Sequence, residues 1–420
     1  MTSVLDAPPT AAFGPAECLT CRECASTYPL GPAHVCELCF GPLEISYDAA
    51  ALAKVTRESI QAGPNNIWRY AGLLPVPTDR SAWVDLGVGG TRLVKADNLA
   101  RELGMRSLYV KDDSGNPTHS FKDRVVAVAA TAARALGFEA LSCASTGNLA
   151  NAVAAAAASA GMRSVVFIPS NLEAGKIVMT AVYGGTLVAV SGSYDDVNRL
   201  CAEVAGELPW AFVNVNLRPF YAEGSRTMGY EIAEQLGWRL PEQVVVPIAS
   251  GSLLTKIDKS FRELGELGLV EQSPYKVFGA QAIGCAPVAT AFKAGHEVPQ
   301  PVKPSGIAKS LAIGNPADGP YAIDVARRTG GAVEDVTDAE IVDGIRLLAR
   351  TEGIFGETAG GVTVATLRKL LASGQLDPQA ETVILNTGDG LKTMDALEGA
   401  EGPTVTIPPS LTAFREAGLA

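Results

Sequence analysis

Short apolar runs alternate with longer segments of helical pattern through most of this chain. From residue 107 onward, most of the apolar runs have the length and β-branched content of buried strands, and polar loops separate them from the helical segments. The pattern predicts strands at 107–110, 140–144, 164–168, 186–190, 211–215, 243–248, 276–282 and 382–386. It predicts helices at 123–136, 148–160, 175–182, 194–208, 224–236, 253–264, 338–352 and 361–372.

This alternation predicts parallel sheets covered by helices on both faces, and therefore an α/β fold. In such sheets, ligands bind where the strands end, in the loops that lead into the following helices. The candidate binding loops are therefore those at 112–122, 145–148, 249–252 and 387–390.

Composition narrows the class of protein. With 420 residues, 47 % apolar and 19 % charged, the chain can bury a large core and has room for two or three domains of roughly 150 residues. Acidic residues outnumber basic ones by 45 to 34, for a net charge of −11, which argues against a nucleic-acid or anionic-membrane partner. No apolar run reaches the ~18 residues of a membrane span, and the N-terminus lacks the pattern of a secretory signal, so we expect a cytoplasmic protein.

Five of the eight cysteines lie between Cys18 and Cys39. In a cytoplasmic chain, clustered cysteines indicate metal ligands before disulfides. Two Cys-x2-Cys pairs, Cys21/Cys24 and Cys36/Cys39, have the spacing of a four-cysteine zinc ribbon, although Cys18 makes an overlapping pair with Cys21. A redox pair or unliganded thiols are the alternative. A four-thiolate site has no open coordination position, so the zinc is expected to be structural.

Two of the candidate loops carry groups suited to catalysis or anion binding. Lys122, in SFKDR (120–124), stands at a predicted helix N-terminus, where the helix dipole disfavours a cation and so favours a nucleophilic amine. An ordinary surface lysine is the alternative. In STGN (145–148), hydroxyl and backbone N–H groups could bind an anion, or the loop could simply cap the next helix.

The other two loops are also short and follow predicted strands. The backbone N–H groups of ASGS (249–252) could hold a phosphate, although neither the Walker A nor the dinucleotide-binding spacing is present. In the loop at 387–390, Thr387 could direct a hydroxyl into the cleft. Taken singly, each of these two loops is better explained as an ordinary connecting turn.

Taken together and in this order, SFKDR, STGN, the Gly/Ser loop and TGDGLK resemble the fold-type-II pyridoxal-phosphate enzymes, the tryptophan-synthase-β-like group. The resemblance is closest to the threonine synthase family, through NPTHSFKDR, ASTGNLANAV, VNVNLRPFYAEGSRTMGYE, EGIFGETAGGVTVA and TGDGLKT. It runs from about Cys21 to Lys392 and favours Cys21/Cys24 as the first cysteine pair of the ribbon. His119, Leu149 and the IASGS sequence depart from the commonest family pattern.

The resemblance implies two doubly wound parallel-sheet domains with the cofactor in the cleft between them, plus the N-terminal zinc ribbon. The expected divisions are a flexible tail at 1–17, the ribbon at 18–47, a large domain from 48–106 and 221–410, and a small domain at 107–220. The family commonly forms homodimers, and we expect one here.

The resemblance also implies roles for individual residues. Lys122 would carry pyridoxal 5′-phosphate as a Schiff base and then move protons during the reaction. The other cofactor-binding residues would be Asn148, the phosphate-binding residues Ala249, Ser250, Gly251, Ser252 and Leu253, and Thr387 facing the pyridine nitrogen. Ser145, Thr146 and Gly147 would bind the substrate carboxylate. Arg218 would bind the substrate phosphate, with Lys176 as a weaker candidate.

The implied reaction converts O-phospho-L-homoserine and water to L-threonine and phosphate, by elimination of phosphate and addition of water at Cβ. The alternatives are another fold-type-II activity, such as β-replacement on O-phosphoserine or a serine/threonine dehydratase. A zinc-ribbon binding protein with a degenerate enzyme body is a third, less favoured interpretation.

Overall fold

A computed structural model describes residues 12–145, 147–170, 174–192, 194–398 and 402–419, without the side chains of 174–176, 194 and 195. The described strands are β1 (Ala16–Cys21), β2 (Thr27–Tyr28), β3 (Leu43–Tyr47), β4 (Arg92–Lys95), β5 (Leu108–Asp112), β6 (Ala140–Ala144), β7 (Arg163–Pro169), β8 (Thr186–Val190), β9 (Trp210–Phe212), β10 (Gln243–Pro247), β11 (Lys276–Ala282), β12 (Val333–Val336) and β13 (Thr382–Asn386).

The described α-helices are α1 (Ala49–Leu52), α2 (Arg57–Gln61), α3 (Asp97–Leu103), α4 (Lys122–Ala135), α5 (Asn148–Ala160), α6 (Ala174–Ala181), α7 (Tyr194–Glu207), α8 (Arg218–Gly224), α9 (Arg226–Gln235), α10 (Ser252–Glu266), α11 (Pro287–Lys293), α12 (Gly319–Arg328), α13 (Asp338–Glu352), α14 (Thr358–Ala372) and α15 (Leu411–Glu416). Short 3₁₀ helices lie at Ile67–Leu73, Arg80–Ala82, Asp113–Gly115, Lys309–Leu311 and Gly390–Leu397.

The N-terminal unit is a small antiparallel sheet in the order β2-β1-β3. Its strands are short, and its core is a few buried side chains that include Leu19, Leu43 and Ile45. The predicted flexible tail at 1–17 falls mostly on residues outside the description, although β1 already begins at Ala16. So few apolar residues form a small core, which is why a unit of this size usually needs a metal or disulfides.

Two sheets form the body of the protein. The larger has six strands in the order β12-β11-β10-β13-β5-β4, parallel except for the antiparallel edge strand β4. The smaller has four parallel strands in the order β8-β7-β6-β9. The central strands β6, β10 and β13 are buried along their whole length, as parallel strands covered by helices must be.

This architecture confirms the predicted α/β fold with two parallel sheets. The domain boundary predicted at residue 107 differs from the sheet membership, because β5 pairs with β13 and β4 in the six-stranded sheet. Strand–helix alternation shows that a strand is parallel and buried but does not show which sheet it joins. The small sheet therefore begins only with β6, at Ala140.

Most of the predicted elements agree with the structure. The bounds of β6, α5, β8, β11, α13 and β13 match the prediction. The strand predicted at 211–215 ends at Phe212. The helix predicted at 224–236 corresponds to α9, and the preceding helix α8 was not predicted. Within the described residues, no helix is both long and apolar enough to cross a membrane.

Candidate active site

Lys122 is the first residue of α4, directly after the loop that follows β5. The neighbouring residues of SFKDR hold it there. The Asp123 carboxylate accepts hydrogen bonds from the Thr118 backbone N–H at 2.8 Å and from its hydroxyl at 2.7 Å, which folds the loop back on the helix. The fully buried Arg124 guanidinium joins Asp113, directly after β5, to Glu231 of α9. Both charged neighbours therefore position the lysine.

Loops that are distant in the sequence lie side by side next to Lys122. Ser120 forms an isolated β-bridge with Gly388, and the Phe121 N–H donates to the Thr387 carbonyl at 2.8 Å. On the other side of the same loop, Gly356 forms a bridge with Asp389. The loops at 112–122 and 387–390, predicted to line one site, are thus adjacent, and the 355–358 segment contacts the second of them. The region around Lys122 where these loops meet is called the cleft below.

Glu357 connects two predicted cofactor-binding residues. Its buried carboxylate accepts a hydrogen bond from the Asn148 amide at 2.9 Å and one from the Thr387 hydroxyl at 3.2 Å. Burial raises the pKa of Glu357, while these hydrogen bonds act in the opposite direction. Asn148, the first residue of α5, and Thr387, which follows β13, are therefore held on one wall of the cleft by one side chain.

The amine of Lys122 has a partner that the sequence analysis did not single out. Its Nζ donates to the Tyr221 hydroxyl at 3.0 Å, and it lies near the rings of Tyr221 and Phe121. Tyr221 belongs to α8, which packs closely against α4. The two aromatic side chains limit the positions that the lysine can take.

The predicted phosphate-binding residues form the turn between β10 and α10. Ala249, Ser250 and Gly251 make the turn, and Ser252 and Leu253 open the helix. Gly251 is the N-cap, with φ +97°, and a Cβ there would lie 2.7 Å from the Asp318 carbonyl oxygen. A residue with a side chain would be strained in this conformation and too close to Asp318.

Arg218 lies beside this turn, although the sequence analysis treated it as a group of the substrate alone. Its Nη2 is 2.9 Å from both carboxylate oxygens of Asp318, and the Asp318 backbone N–H donates to the Ser250 carbonyl at 2.9 Å. Asp318 therefore contacts both the Arg218 guanidinium and the predicted cofactor-phosphate turn, and it holds the two close together. Asp318 was also not anticipated, because nothing in its local sequence indicates a contact with residue 218.

The predicted carboxylate-binding loop is described in part. The Ser145 hydroxyl accepts hydrogen bonds from the N–H groups of Gly147 and Ala150, each at 3.2 Å, so it caps α5 in this structure. Gly147 is the N-cap of α5. Thr146 and the side chain of Lys176 lie outside the described residues.

The ribbon cysteines form a compact group apart from the cleft. The Sγ atoms of Cys21, Cys24, Cys36 and Cys39 lie within 4.8 Å of one another. The two pairs have matching turns: Ala25 and Phe40 each follow the second cysteine with a left-handed φ, and each N–H donates to the carbonyl of the first cysteine at 3.0 Å. Cys18 is outside this group and lies 3.7 Å from the Thr20 hydroxyl. The described residues thus favour the Cys21/Cys24 register.

Tyr221, Glu357 and Asp318 are the contacts that sequence reasoning missed. Glu357 lies in EGIFGETAGG, one of the segments that carry the family resemblance, where its neighbours are the small residues Gly356 and Thr358. An acid among small residues was a usable signal for a buried carboxylate with a specific partner. Tyr221 lies in a second such segment, but nothing distinguishes it there from a core aromatic residue.

Comparison with known proteins adds independent findings. The sequence profile of the family described as pyridoxal-phosphate dependent enzyme matches residues 84–388. The chain is 39 % identical to threonine synthase of Methanocaldococcus jannaschii, over 91 % of this chain and 95 % of that protein. It is 36 % identical to threonine synthase of Methanosarcina acetivorans, over 95 % and 98 %. Maize serine racemase has a similar fold, with a TM-score of 0.58 over 71 % of this chain and 88 % of that one, at 21 % identity.

Proposed function

The chain belongs to the threonine synthase family of pyridoxal-phosphate-dependent enzymes, and from this premise we propose which of its residues carry the reaction. The substrate class is an amino-acid phosphate, and the proposed reaction converts O-phospho-L-homoserine and water to L-threonine and phosphate. The observation that carries the proposal is the position of Lys122, at a helix N-terminus where the loops after β5 and β13 and the 355–358 segment meet.

The residues of the cleft fit pyridoxal phosphate. The turn at 249–252 leads into the N-terminus of α10, where backbone N–H groups suit a phosphate and a glycine leaves the helix end without a side-chain cap. Lys122 would hold the cofactor through its amine, and Asn148 and Thr387 would offer neutral hydrogen-bonding groups to the ring. Thr387 opposite the ring nitrogen would not enforce its protonation, as a carboxylate would. Bound pyridoxal phosphate withdraws electrons from the carbon atoms of the amino acid attached to it.

The protein's own residues then orient the substrate and move protons. Lys122, with its amine free, would serve as general acid and base at Cα, Cβ and Cγ of the substrate. Tyr221 holds the Nζ in place through the 3.0 Å hydrogen bond. Ser145, Thr146 and Gly147 bind the α-carboxylate, which requires the Ser145 hydroxyl to exchange part of its capping role for the ligand.

Arg218 is proposed to bind the phosphate that leaves the substrate. Its contacts to Asp318 use a single nitrogen, Nη2, and a guanidinium has five N–H donors, so the rest of the group can serve a phosphate. Asp318 fixes the orientation of Arg218 and lowers the positive charge next to the cofactor phosphate. This arrangement would let one phosphate leave while the other stays bound.

The ribbon is proposed to hold one structural zinc ion. Four thiols within 4.8 Å in two matching turns form the donor set of a tetrahedral zinc site. The ion would lie apart from the reacting atoms, with no open coordination position. From the family resemblance, we also propose a homodimer, which light scattering of the purified protein would test.

The experiment that tests the proposed function compares substrates. The purified enzyme, loaded with pyridoxal phosphate, is given O-phospho-L-homoserine and, separately, O-phospho-L-serine, while phosphate release and the amino-acid product are measured. The proposal predicts phosphate release with threonine formation from the first compound and little turnover of the second. Preferred turnover of O-phospho-L-serine would favour the β-replacement alternative instead.

A further inference from the structure

A cavity of about 290 Å³ lies between the ribbon, α10 and α12, apart from the cleft. Arg22 and Glu44 of the ribbon line one side. Residues of α10 and α12 complete the wall: Thr255, Lys256, Asp258, Lys259, Arg262, Asp324, Val325 and Arg328. Lys259 lies in α10, seven residues after Ser252 and so roughly 10 Å along the helix. Ser252 belongs to the predicted phosphate-binding turn at 249–252, called the cofactor turn below.

The lining of this cavity has more positive than negative charge. Five of its side chains are basic and three, Glu44, Asp258 and Asp324, are acidic, an excess of two positive charges. The carboxylates are shared. Asp258 Oδ2 accepts from both Arg262 Nε, at 3.0 Å, and Arg328 Nη2, at 2.8 Å.

At the floor of the cavity, two lysines also share one carboxylate. Behind the floor, one oxygen of the buried Glu223 accepts from both Lys256, at 2.9 Å, and Lys259, at 3.3 Å. The other oxygen of Glu223 is occupied by Tyr47 and Arg226. Among the described residues, Glu223 is the one carboxylate within salt-bridge distance of Lys259. Burial, with the nearby Lys256 and Arg226, lowers the pKa of Lys259 to about 8. The ammonium at the floor is thus incompletely neutralised by the protein.

We propose that this cavity is a second anion site, which binds a phosphate dianion between the ribbon and the body. The lining keeps more positive than negative charge, and its three arginines and two lysines present several N–H donors that suit the oxygens of a phosphate. Arg262 and Arg328, 49 % and 43 % exposed, offer guanidinium edges at the rim, and Lys259 offers N–H groups at the floor. The bound ion would connect α10 and α12, whose N-termini flank the cofactor turn, to Arg22 of the ribbon.

Calorimetric titration of the holoenzyme with inorganic phosphate tests the proposal. The double variant Lys259→Gln/Arg262→Gln should weaken one class of phosphate site by about tenfold or more, because two charged donors are lost. Its kcat/KM for O-phospho-L-homoserine should stay within about twofold of wild type, since neither residue belongs to the cleft. The matched control is Lys276→Gln/Arg106→Gln, which removes an exposed lysine and an exposed arginine elsewhere and should leave phosphate binding unchanged.

A second variant, which alters only a surface side chain, should raise the phosphate affinity instead of lowering it. Asp324 is 70 % exposed, and Asp324→Asn removes a negative charge from the lining, so phosphate should bind several-fold more tightly.

Arg218→Ala should weaken only the class of phosphate sites in the cleft, so failure of the proposed function and failure of this proposal are distinguishable. Parallel titration with glycerol 3-phosphate shows whether the site takes free phosphate or an ester. Phosphate affinities equal to wild type in both the Lys259→Gln/Arg262→Gln and Asp324→Asn variants would overturn the proposal.

Discussion

The ribbon and the cleft place their reactive groups together in opposite ways. The four cysteines of the ribbon come from two local turns between residues 21 and 39, and each turn is closed by its own backbone hydrogen bonds. The groups of the cleft come from segments as far apart as Lys122 and Thr387, and long-range contacts such as Glu357 to Asn148 hold them. A local site depends on its metal and its turns, whereas the cleft depends on the whole α/β body.

The two regions are nevertheless joined by an ion pair and by hydrogen bonds to buried charged groups. Glu44, in β3 of the ribbon, lies 3.2 Å from the Lys256 amine of α10, and Tyr47 donates to the buried Glu223 of α8 at 2.5 Å. These two helices carry the cofactor turn and Arg218. The following variants test whether a change in one region affects the activity, zinc content or stability that depends on the other.

The largest expected effect is in the cleft alone. Lys122→Ala should lower kcat with O-phospho-L-homoserine by about a thousandfold or more, because it removes the amine proposed both to hold the cofactor and to act as general acid and base. The visible absorbance band of the bound cofactor should be absent after dialysis. Zinc content and the unfolding midpoint should change little. Lys54→Ala, at an exposed lysine, is the control and should retain full activity. Retention of substantial activity by Lys122→Ala would mean that another lysine carries the cofactor.

The next effect is confined to the ribbon. Wild-type protein should contain about one zinc per chain, and Cys36→Ser should lower zinc affinity by more than about a hundredfold, since changes outside the ligand shell already cost 10–100-fold. Soluble Cys36→Ser protein should still show the cofactor absorbance band. Cys18→Ser is the matched control and should keep its zinc, because Cys18 lies outside the sulfur cluster. Loss of zinc from Cys18→Ser together with its retention by Cys24→Ser would reverse the assigned register, since Cys36 is a ligand in either register.

Arg218→Ala tests whether one side chain of the cleft discriminates between two phosphates. A hydrogen bond between charged groups contributes about 1.5–3 kcal/mol, so kcat/KM for O-phospho-L-homoserine should fall by roughly ten- to a hundredfold. Cofactor affinity, measured by equilibrium dialysis, should change much less. Asp318→Asn, which keeps the guanidinium but removes its carboxylate partner, should have a smaller effect on kcat/KM. Loss of the cofactor from Arg218→Ala would assign Arg218 to the cofactor phosphate instead.

The smallest expected effect is on the ion pair between Glu44 of the ribbon and Lys256 of the body. Attraction by the Lys256 ammonium lowers the pKa of Glu44 to about 2, below the ~4.3 of an unfolded chain. The charged Glu44 therefore stabilises the folded state above about pH 4.3, and this stabilisation is lost as the pH falls toward 2.

At pH 7, Glu44→Gln should lower the free energy of unfolding by about 1–2 kcal/mol, discounted for the partial exposure of Glu44. The difference from wild type, measured by urea unfolding, should shrink from pH 5 downward. Zinc bound to the proposed site would leave both proteins in acid, so only their difference is informative. Glu297→Gln, at an exposed position, is the control. A difference that grows in acid would contradict the assigned pKa direction.

The ribbon and the cleft also differ in how well the sequence predicts them. Cysteine spacing is sufficient for the ribbon, because each turn is formed by a few consecutive residues. Apolar runs predict β6, α5 and β13 with matching bounds, since burial on both faces requires continuous apolar sequence. The sheet to which β5 belongs, and the contacts of Tyr221 and Asp318, depend on how distant segments pack. Local pattern carries no information on such packing, and even the cleft residues that were anticipated depended on family resemblance.

The most direct test of the central claim is to identify the lysine that carries the cofactor. Borohydride reduction of the holoenzyme, followed by proteolysis and peptide mapping, fixes pyridoxal phosphate on the amine to which it is bound. The account predicts a single modified peptide that contains SFKDR, with the modification on Lys122. Modification of a different lysine, or the absence of any modified peptide from protein that retains the absorbance band, would contradict it.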